Sequence, residues 1–340
     1  MLDRFDLVLE SVSCALCGAN DYDHVLWARD WLHNLPGEFQ IVQCRNCSLI
    51  YQNPRPNQTT ILNYYPAEYE YAPASGSASA IKGSGLRAKL WRTIQSHYYG
   101  YPFPADDLPF VIRPFVGLYH SFYKILSLPI IRWQQSGRVL DVGCGKGEYL
   151  ASLRELGWQV NGIEINPHAV SYARDTLQLD VFQGDFFARC LPSASVDVVT
   201  MWWYLEHVPN PADILKEARR VLKPDGLLLV GVPNWASIEA RVLKSAWHHL
   251  DAPRHFTLFT PSTLSAMLAQ AGFVIREQRM VSWLNDPAES IERLIQIKRS
   301  KPMKFPKWLR LLMAPTEWIF ASFGRGSLMA VVAQPADQRF

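Results

Sequence analysis

Four of the six cysteines stand as two C-x-x-C pairs, Cys14 with Cys17 and Cys44 with Cys47. Each pair sits in turn-like sequence, Cys14-Ala-Leu-Cys17-Gly18 and Cys44-Arg-Asn-Cys47-Ser48, so two knuckles can bring four thiolates to the corners of one tetrahedron around Zn²⁺. Two disulfides or a redox C-x-x-C are the competing uses of such pairs. Disulfides need an oxidising compartment, and a redox motif leaves the second pair unexplained. A metal site closed by four protein ligands has no open position, so it holds a fold together and performs no chemistry.

A second constellation begins at VLDVGCGKGEYL, where Asp141 is followed by Gly143, Gly145 and Gly147 and then by a helical pattern. Glycines at a strand-to-helix turn let the backbone approach a ligand closely. The spacing is G-x-G-x-G, and Glu148 stands where a dinucleotide fingerprint has its third glycine, which counts against NAD. Cys144, inside this loop, reads as a small loop residue. Glu164 closes the next strand, where a carboxylate can accept both hydroxyls of a ribose. Asp185, in QGDF, closes the strand after that, placed to accept from an adenine amino group with Phe186 beside the ring. WWYLEHV follows the fourth strand, at the edge where open α/β sheets bind ligands. Singly, Glu164 and Asp185 also read as helix N-caps; four elements in order at four successive strand ends point to a nucleoside ligand.

The elements that must position these groups are legible from Gly137 onward. Arg138 to Val142, Val160 to Glu164, Leu179 to Gln183, Val196 to Trp202 and Leu227 to Val232 read as strands. Helices over Tyr149 to Glu155, Pro167 to Leu177 and Ala212 to Leu222 lie between them, the last ending at a Lys-Pro-Asp-Gly turn. Such alternation means a parallel sheet with helices on both faces. Phe273 to Val281 and Ser327 to Gln334 add two more strand-like runs. Upstream, His24 to Trp27 and Phe39 to Gln43 supply ribbon strands, Tyr64, Tyr65, Tyr69 and Tyr71 cluster, residues 72–86 are rich in Ala, Ser and Gly, and Leu118 to Leu126 is helical.

LDVGCGKG, GIEINP, GDF, LEHVPNP, VLKPDGLLLVGVPN and AGF before a strand resemble, over residues 137–281, the class I S-adenosylmethionine-dependent methyltransferases. The resemblance implies an α/β fold, a Rossmann-like seven-stranded methyltransferase domain whose last strand, Ser327 to Gln334, is antiparallel, here preceded by a small zinc ribbon. It also implies that Asp141, Gly143 and Gly145 line the methionine and ribose end of the cofactor, that Glu164 binds ribose and that Asp185 with Phe186 binds adenine. The ribbon, the tyrosines and HLDAPRHFTLFT resemble a narrower subset acting on sugars and small molecules of polysaccharide and natural-product pathways. The expected layout is a zinc-ribbon module at 1–71, a linker or helical lid at 72–136, the catalytic domain at 137–281, and an insertion with the final antiparallel strand at 282–340.

Methyl transfer from a sulfonium is an in-line displacement in which positioning supplies much of the catalysis, and a hydroxyl or carbon acceptor also needs a base. His207 after the fourth strand and His255 in Pro253-Arg254-His255-Phe256 are the two candidates, with Trp247, His248 and His249 as pocket walls. Some relatives hold a divalent cation with Glu-x-x-Glu-His and a later His. Glu206 and His207 match, but Trp203 occupies the first carboxylate position, which argues against metal-assisted transfer.

The chain has 340 residues, 49% hydrophobic and 19% charged, with 12 Trp and a net charge of +3. That composition excludes global disorder and gives no whole-chain argument for nucleic acid or membrane. Residues 1–71 carry four Arg and nine carboxylates, a balance that repels a phosphate backbone and argues against an RNA methyltransferase, although some of those carry a four-cysteine module. The intact Gly143, Gly145, Glu164 and Asp185 likewise disfavour a non-catalytic binding protein. No apolar run reaches the length of a membrane span, and the acidic start MLDRFDLVLE does not resemble a secretory leader; a cytoplasmic enzyme is expected. In KRSKPMKFPKWLR, six cations occur without an acid. They read as a solvated basic loop before a packing helix, or mark 298–323 as a peripheral contact with the inner face of the membrane or a clamp for an acceptor carried on a nucleotide or lipid diphosphate.

Overall fold

The computed structural model describes residues 7–65, 85–103, 108–135, 137–281, 283, 285–299 and 301–336. Five short strands open the chain: β1 (Leu9–Glu10), β2 (Tyr22–Ala28), β3 (Phe39–Cys44), β4 (Ile50–Gln52) and β5 (Arg55–Pro56). β2, β3 and β4 form an antiparallel meander containing both expected ribbon strands, each slightly longer than expected. Helices α1 (Leu86–Tyr99) and α2 (Val116–Leu126) follow. Tyr69, Tyr71 and the expected linker up to position 84 lie outside the described residues. Tyr101, Leu128 and Ile131 press on the sheet beside Val139, Val198 and Leu229, so the segment around the two helices covers one sheet face.

From β6 (Arg138–Val142) strands and helices alternate through α3 (Glu148–Glu155), β7 (Gln159–Glu164), α4 (Pro167–Asp175), β8 (Val181–Gln183), β9 (Val196–Trp202), α5 (Pro211–Val221), β10 (Leu222–Pro233) and α6 (Ile238–Leu243). Then come β11 (Thr257–Leu258), α7 (Pro261–Gln270), β12 (Phe273–Val281), α8 (Asp286–Arg299), α9 (Lys307–Ser322) and β13 (Leu328–Pro335). The large sheet has seven strands in the order β12-β13-β10-β9-β6-β7-β8. β6 to β10 pair in parallel, and β13 runs antiparallel to both β10 and β12. This is the Rossmann-like sheet the sequence implied. Its central strands are near-continuous apolar runs because helices cover both faces. The Lys-Pro-Asp-Gly turn survives as an irregularity: the register of β10 against β9 shifts between Leu222 and Leu227, and the regular part begins at Leu227.

The ribbon is joined to this sheet by three means. β11, from the segment after β10, pairs antiparallel with β4, giving a four-stranded ribbon sheet in the order β11-β4-β3-β2. Cys14, Leu16, Val42, Leu49 and Tyr51 share one hydrophobic cluster with Leu140, Val142, Met201 and Phe259. Finally, the buried Arg254 guanidinium donates to Asp30 at 2.7 Å, to both carboxylate oxygens of Asp251 at 2.7 and 2.9 Å, and to the Tyr64 carbonyl at 3.0 Å.

Candidate functional site

The four paired cysteines converge. Cys14 Sγ lies 3.4 Å from Cys47 Sγ, Cys17 Sγ lies 3.5 Å from Cys44 Sγ, and all four sulfurs fall within 4.8 Å of one another. Disulfide sulfurs are about 2.05 Å apart, whereas a tetrahedron of ~2.3 Å metal–sulfur bonds spaces its sulfurs by about 3.8 Å. The knuckles repeat one geometry. Gly18 N–H donates to the Cys14 carbonyl and Cys14 N–H to the Ala19 carbonyl; Ser48 and Cys44 do the same with Cys44 and Leu49. Burial pushes the Cys14 thiol up to about 11, a cost that coordination to a dication would reverse.

Asp141, Glu164 and Asp185 follow the sheet order. They stand at or just beyond the carboxyl ends of the neighbouring strands β6, β7 and β8. Asp141 is buried, accepts from Thr200 Oγ1 at 2.6 Å, and is pushed up to about 7 by burial. Glu164 Oε2 accepts from Gly145 N–H at 2.9 Å, and Oε1 accepts from Ile165 and Asn166 N–H at 2.8 and 2.9 Å. These three bonds favour its charged form, although burial still raises its pKa. The carboxylate thus fixes the glycine loop. Gly143 has φ +76°, and a Cβ there would come within 2.4 Å of the Tyr204 ring, so both backbone and space require glycine. Asp185 is exposed, with Oδ1 capping Ala188 N–H at 2.8 Å. Phe186 departs from expectation. Its ring is wholly buried in the core and has no face for an adenine, while Phe187 is about half exposed beside it. With Asp185 turned outward to cap the loop, the next side chain turns inward.

The two candidate bases meet. Phe256 N–H donates to the Glu206 carbonyl at 2.8 Å, which seats the segment carrying His255, just ahead of β11, against the turn carrying His207. Their rings stand edge to face with centroids 4.5 Å apart. His255 Nδ1 lies 2.8 Å from the His249 carbonyl, an acceptor only, so Nδ1 carries the proton and Nε2 the lone pair. His207 Nδ1 lies 3.0 Å from the Tyr65 hydroxyl. Burial first, then the neighbouring ring, pushes His207 down to about 3; burial, opposed by Asp251, pushes His255 down to about 4. Both are neutral at neutral pH.

Sequence reasoning gave three groups here no role in the site. Tyr65 was legible only as one of a tyrosine cluster. Glu206 is buried beneath the histidines with both oxygens unpartnered among the described residues, and burial pushes it up to about 8. One donor atom each of Glu206, His207 and His255 lies within 4.8 Å of the others, so these three stay gathered although Trp203 replaces the first carboxylate. The third group is a set of buried acids, Glu239 on α6, Asp286 on α8 and Glu317 on α9, pushed up by burial to about 7, 8 and 9. Glu239 Oε1 lacks a hydrogen-bond partner among the described residues, and Asp286 Oδ2 stands 3.3 Å from the nearby His249 Nε2. The Trp283 ring lies 4.9 Å from Trp203 and 6.0 Å from His249. Trp203, the residue after β9, has φ +55°, a conformation rare for a bulky residue and common near functional sites.

Residues 124–278 match the methyltransferase domain family. The chain is 33% identical over 158 residues to the ubiquinone biosynthesis O-methyltransferase of Xanthomonas axonopodis pv. citri, covering 41% of this chain and 64% of that protein. It is 30% identical over 141 residues to a protein of Mycolicibacterium smegmatis named as a probable S-adenosylmethionine-dependent methyltransferase, covering 41% of this chain and 52% of that one. The match therefore spans between half and two thirds of these relatives' length. A solved S-adenosylmethionine-dependent methyltransferase from Thermotoga maritima superposes with a TM-score of 0.43 at 20% identity, covering 72% of this chain and 97% of that chain. Residues 124–278 are thus similar to the methyltransferase domain family, and the seven-stranded sheet with its antiparallel β13 is the fold expected from the resemblance to class I S-adenosylmethionine-dependent methyltransferases.

Proposed function

We propose that the chain transfers a methyl group from S-adenosylmethionine to an oxygen or carbon of a sugar or other small metabolite. The observation carrying this reading is the junction of Glu164 with Gly145 beneath the row Asp141, Glu164 and Asp185, a cradle at the carboxyl edge of the sheet. S-adenosylmethionine supplies the methyl group as a sulfonium electrophile. Asp141 and Glu164 orient it, and the glycine loop gives the backbone its close approach.

His255 Nε2 is the proton acceptor in this account, since the His249 carbonyl fixes the tautomer that leaves it a lone pair. His207 and Tyr65 hold the neighbouring wall. Trp203 and Trp283 offer aromatic faces, Glu239 offers an unpartnered oxygen, and the Asp286–His249 pair, 3.3 Å apart, offers further polar atoms. Apolar walls with a few convergent polar groups suit a polyhydroxylated ring. Turnover with a panel of nucleotide- and lipid-linked sugars tests this: Asp286→Ala should abolish acceptor methylation while S-adenosylhomocysteine binding persists. Loss of both together would refute the acceptor role.

One observation favours a second reading of the same centre, with a divalent cation held by Glu206, His207 and His255. A cation there would polarise an acceptor hydroxyl. Metal analysis of the Cys14→Ser/Cys17→Ser variant, with the ribbon site removed, separates the readings: residual stoichiometric metal lost in His255→Ala favours it. In the ribbon, the four cysteines hold a structural zinc in this account.

A further inference from the structure

The insertion before β13 presents an apolar face that nothing in the described residues covers. Trp308, Leu311, Leu312 and Ile319 of α9 and Phe323 at its C-cap are each more than half exposed. At about 100° per residue these positions fall within an arc of about 120°. The opposite side of α9 is fastened inward. Glu317 and Ala321 are buried, and Arg310 donates to Glu292 at 2.7 and 2.8 Å. α2 packs against α9. Phe110, Val111, Phe115 and Leu118, in and just before α2, are also more than half exposed. Together they form an apolar ridge of a size that soluble surfaces rarely leave open.

Charge selects the partner. Of the six cations counted in sequence, Arg310 is taken by Glu292. Lys298 and Arg299 at the end of α8, and Lys301, Lys304 and Lys307 leading into α9, remain exposed, and no ion pair to them is seen among the described residues. No acid lies between 293 and 316 in the sequence. An exposed helix face headed by Trp and flanked by unneutralised Lys and Arg matches a bilayer interface, where apolar side chains enter the acyl boundary and cations meet headgroup phosphates. A protein partner would need a matching acidic rim around an equally large apolar groove. No helix of the described residues is long and apolar enough to cross a membrane, so contact here would be peripheral.

We propose that α9, with the basic stretch before it and the ridge of 110–118 beside it, is an interfacial docking surface for anionic phospholipid bilayers. The surface is separate from the methyl-transfer site and does not depend on that assignment.

Sedimentation of the full chain with phosphatidylcholine vesicles containing about one third phosphatidylserine tests this. The protein should pellet with these vesicles, pellet at least tenfold less with pure phosphatidylcholine, and be released by high salt. Leu312→Ser/Ile319→Ser and Lys301→Glu/Lys304→Glu/Lys307→Glu should each weaken binding at least tenfold. Because every substituted side chain is exposed, unchanged melting temperature and S-adenosylhomocysteine affinity show that the fold is kept. No pelleting, or pelleting that neither variant weakens, overturns the proposal. So does a lipid-free dimer in analytical ultracentrifugation that Leu312→Ser/Ile319→Ser dissociates without any vesicle binding, which would assign the face to a second copy.

Discussion

His207 and His255, far apart in the chain, stand edge to face 4.5 Å apart in a wall built jointly by the turn after β9 and the segment that leads into β11. Only His255 has its tautomer set by a backbone carbonyl. His255→Ala should therefore lower the rate of transfer by about 10²-fold or more, with cofactor affinity unchanged. His207→Ala should act mainly on acceptor KM. Steady-state kinetics on both variants check this; equal rates for wild type and His255→Ala would leave positioning alone as the mechanism.

In the proposed cofactor site, Asp141 should give binding a pH dependence. Burial pushes it up to about 7, so below that pH the free protein holds it protonated, and binding the sulfonium must expel the proton. Affinity should rise with pH and level off above about 7. Calorimetric titration of S-adenosylmethionine from pH 5.5 to 8.5 reads the slope, and Asp141→Asn should flatten it. The linked stability runs the other way: a carboxyl raised on folding stabilises the apoprotein at low pH, and that contribution fades as pH climbs through about 7.

Arg254 ties ribbon to catalytic sheet. Arg254→Ala leaves Asp30 and Asp251 buried without the guanidinium that hydrogen-bonds to both and should cost about 3–5 kcal/mol of stability. Denaturant unfolding measures it. A loss under 1 kcal/mol would mean that the joint is held by β4–β11 pairing and core packing instead.

These two joints show where sequence reading stops. β6, β9 and β12 fall where expected because short apolar runs bounded by Gly, Asp and turn residues are local signals. The Glu164-anchored loop was legible for the same reason. β11 has two residues and no alternation, and exists only because β4 lies beside it. Arg254 was named only as the neighbour of His255; its partners Asp30 and Tyr64 come from the far end of the chain. Phe186 was assigned to the ligand by its neighbour, but its burial is decided by the core. Glu239, Asp286 and Glu317 lie on three different helices, and no spacing in the sequence announces that they meet.

Removing the metal from the ribbon should act at a distance. A chelator strong enough to strip four thiolates should lower the melting temperature and, by loosening β4 against β11, slow methyl transfer, although no cysteine touches the histidines. Zinc should restore both. Full activity in metal-free protein would separate the ribbon from the site.

The central claim is that the cradle of Gly143, Gly145, Glu164 and Asp185 holds an adenosyl cofactor. Native mass spectrometry of the purified chain with S-adenosylhomocysteine tests it most directly. The account predicts one nucleoside and one zinc per chain, with the nucleoside lost and the zinc retained in Asp185→Ala. A folded, zinc-loaded protein that takes up no nucleoside at any concentration tried would contradict it.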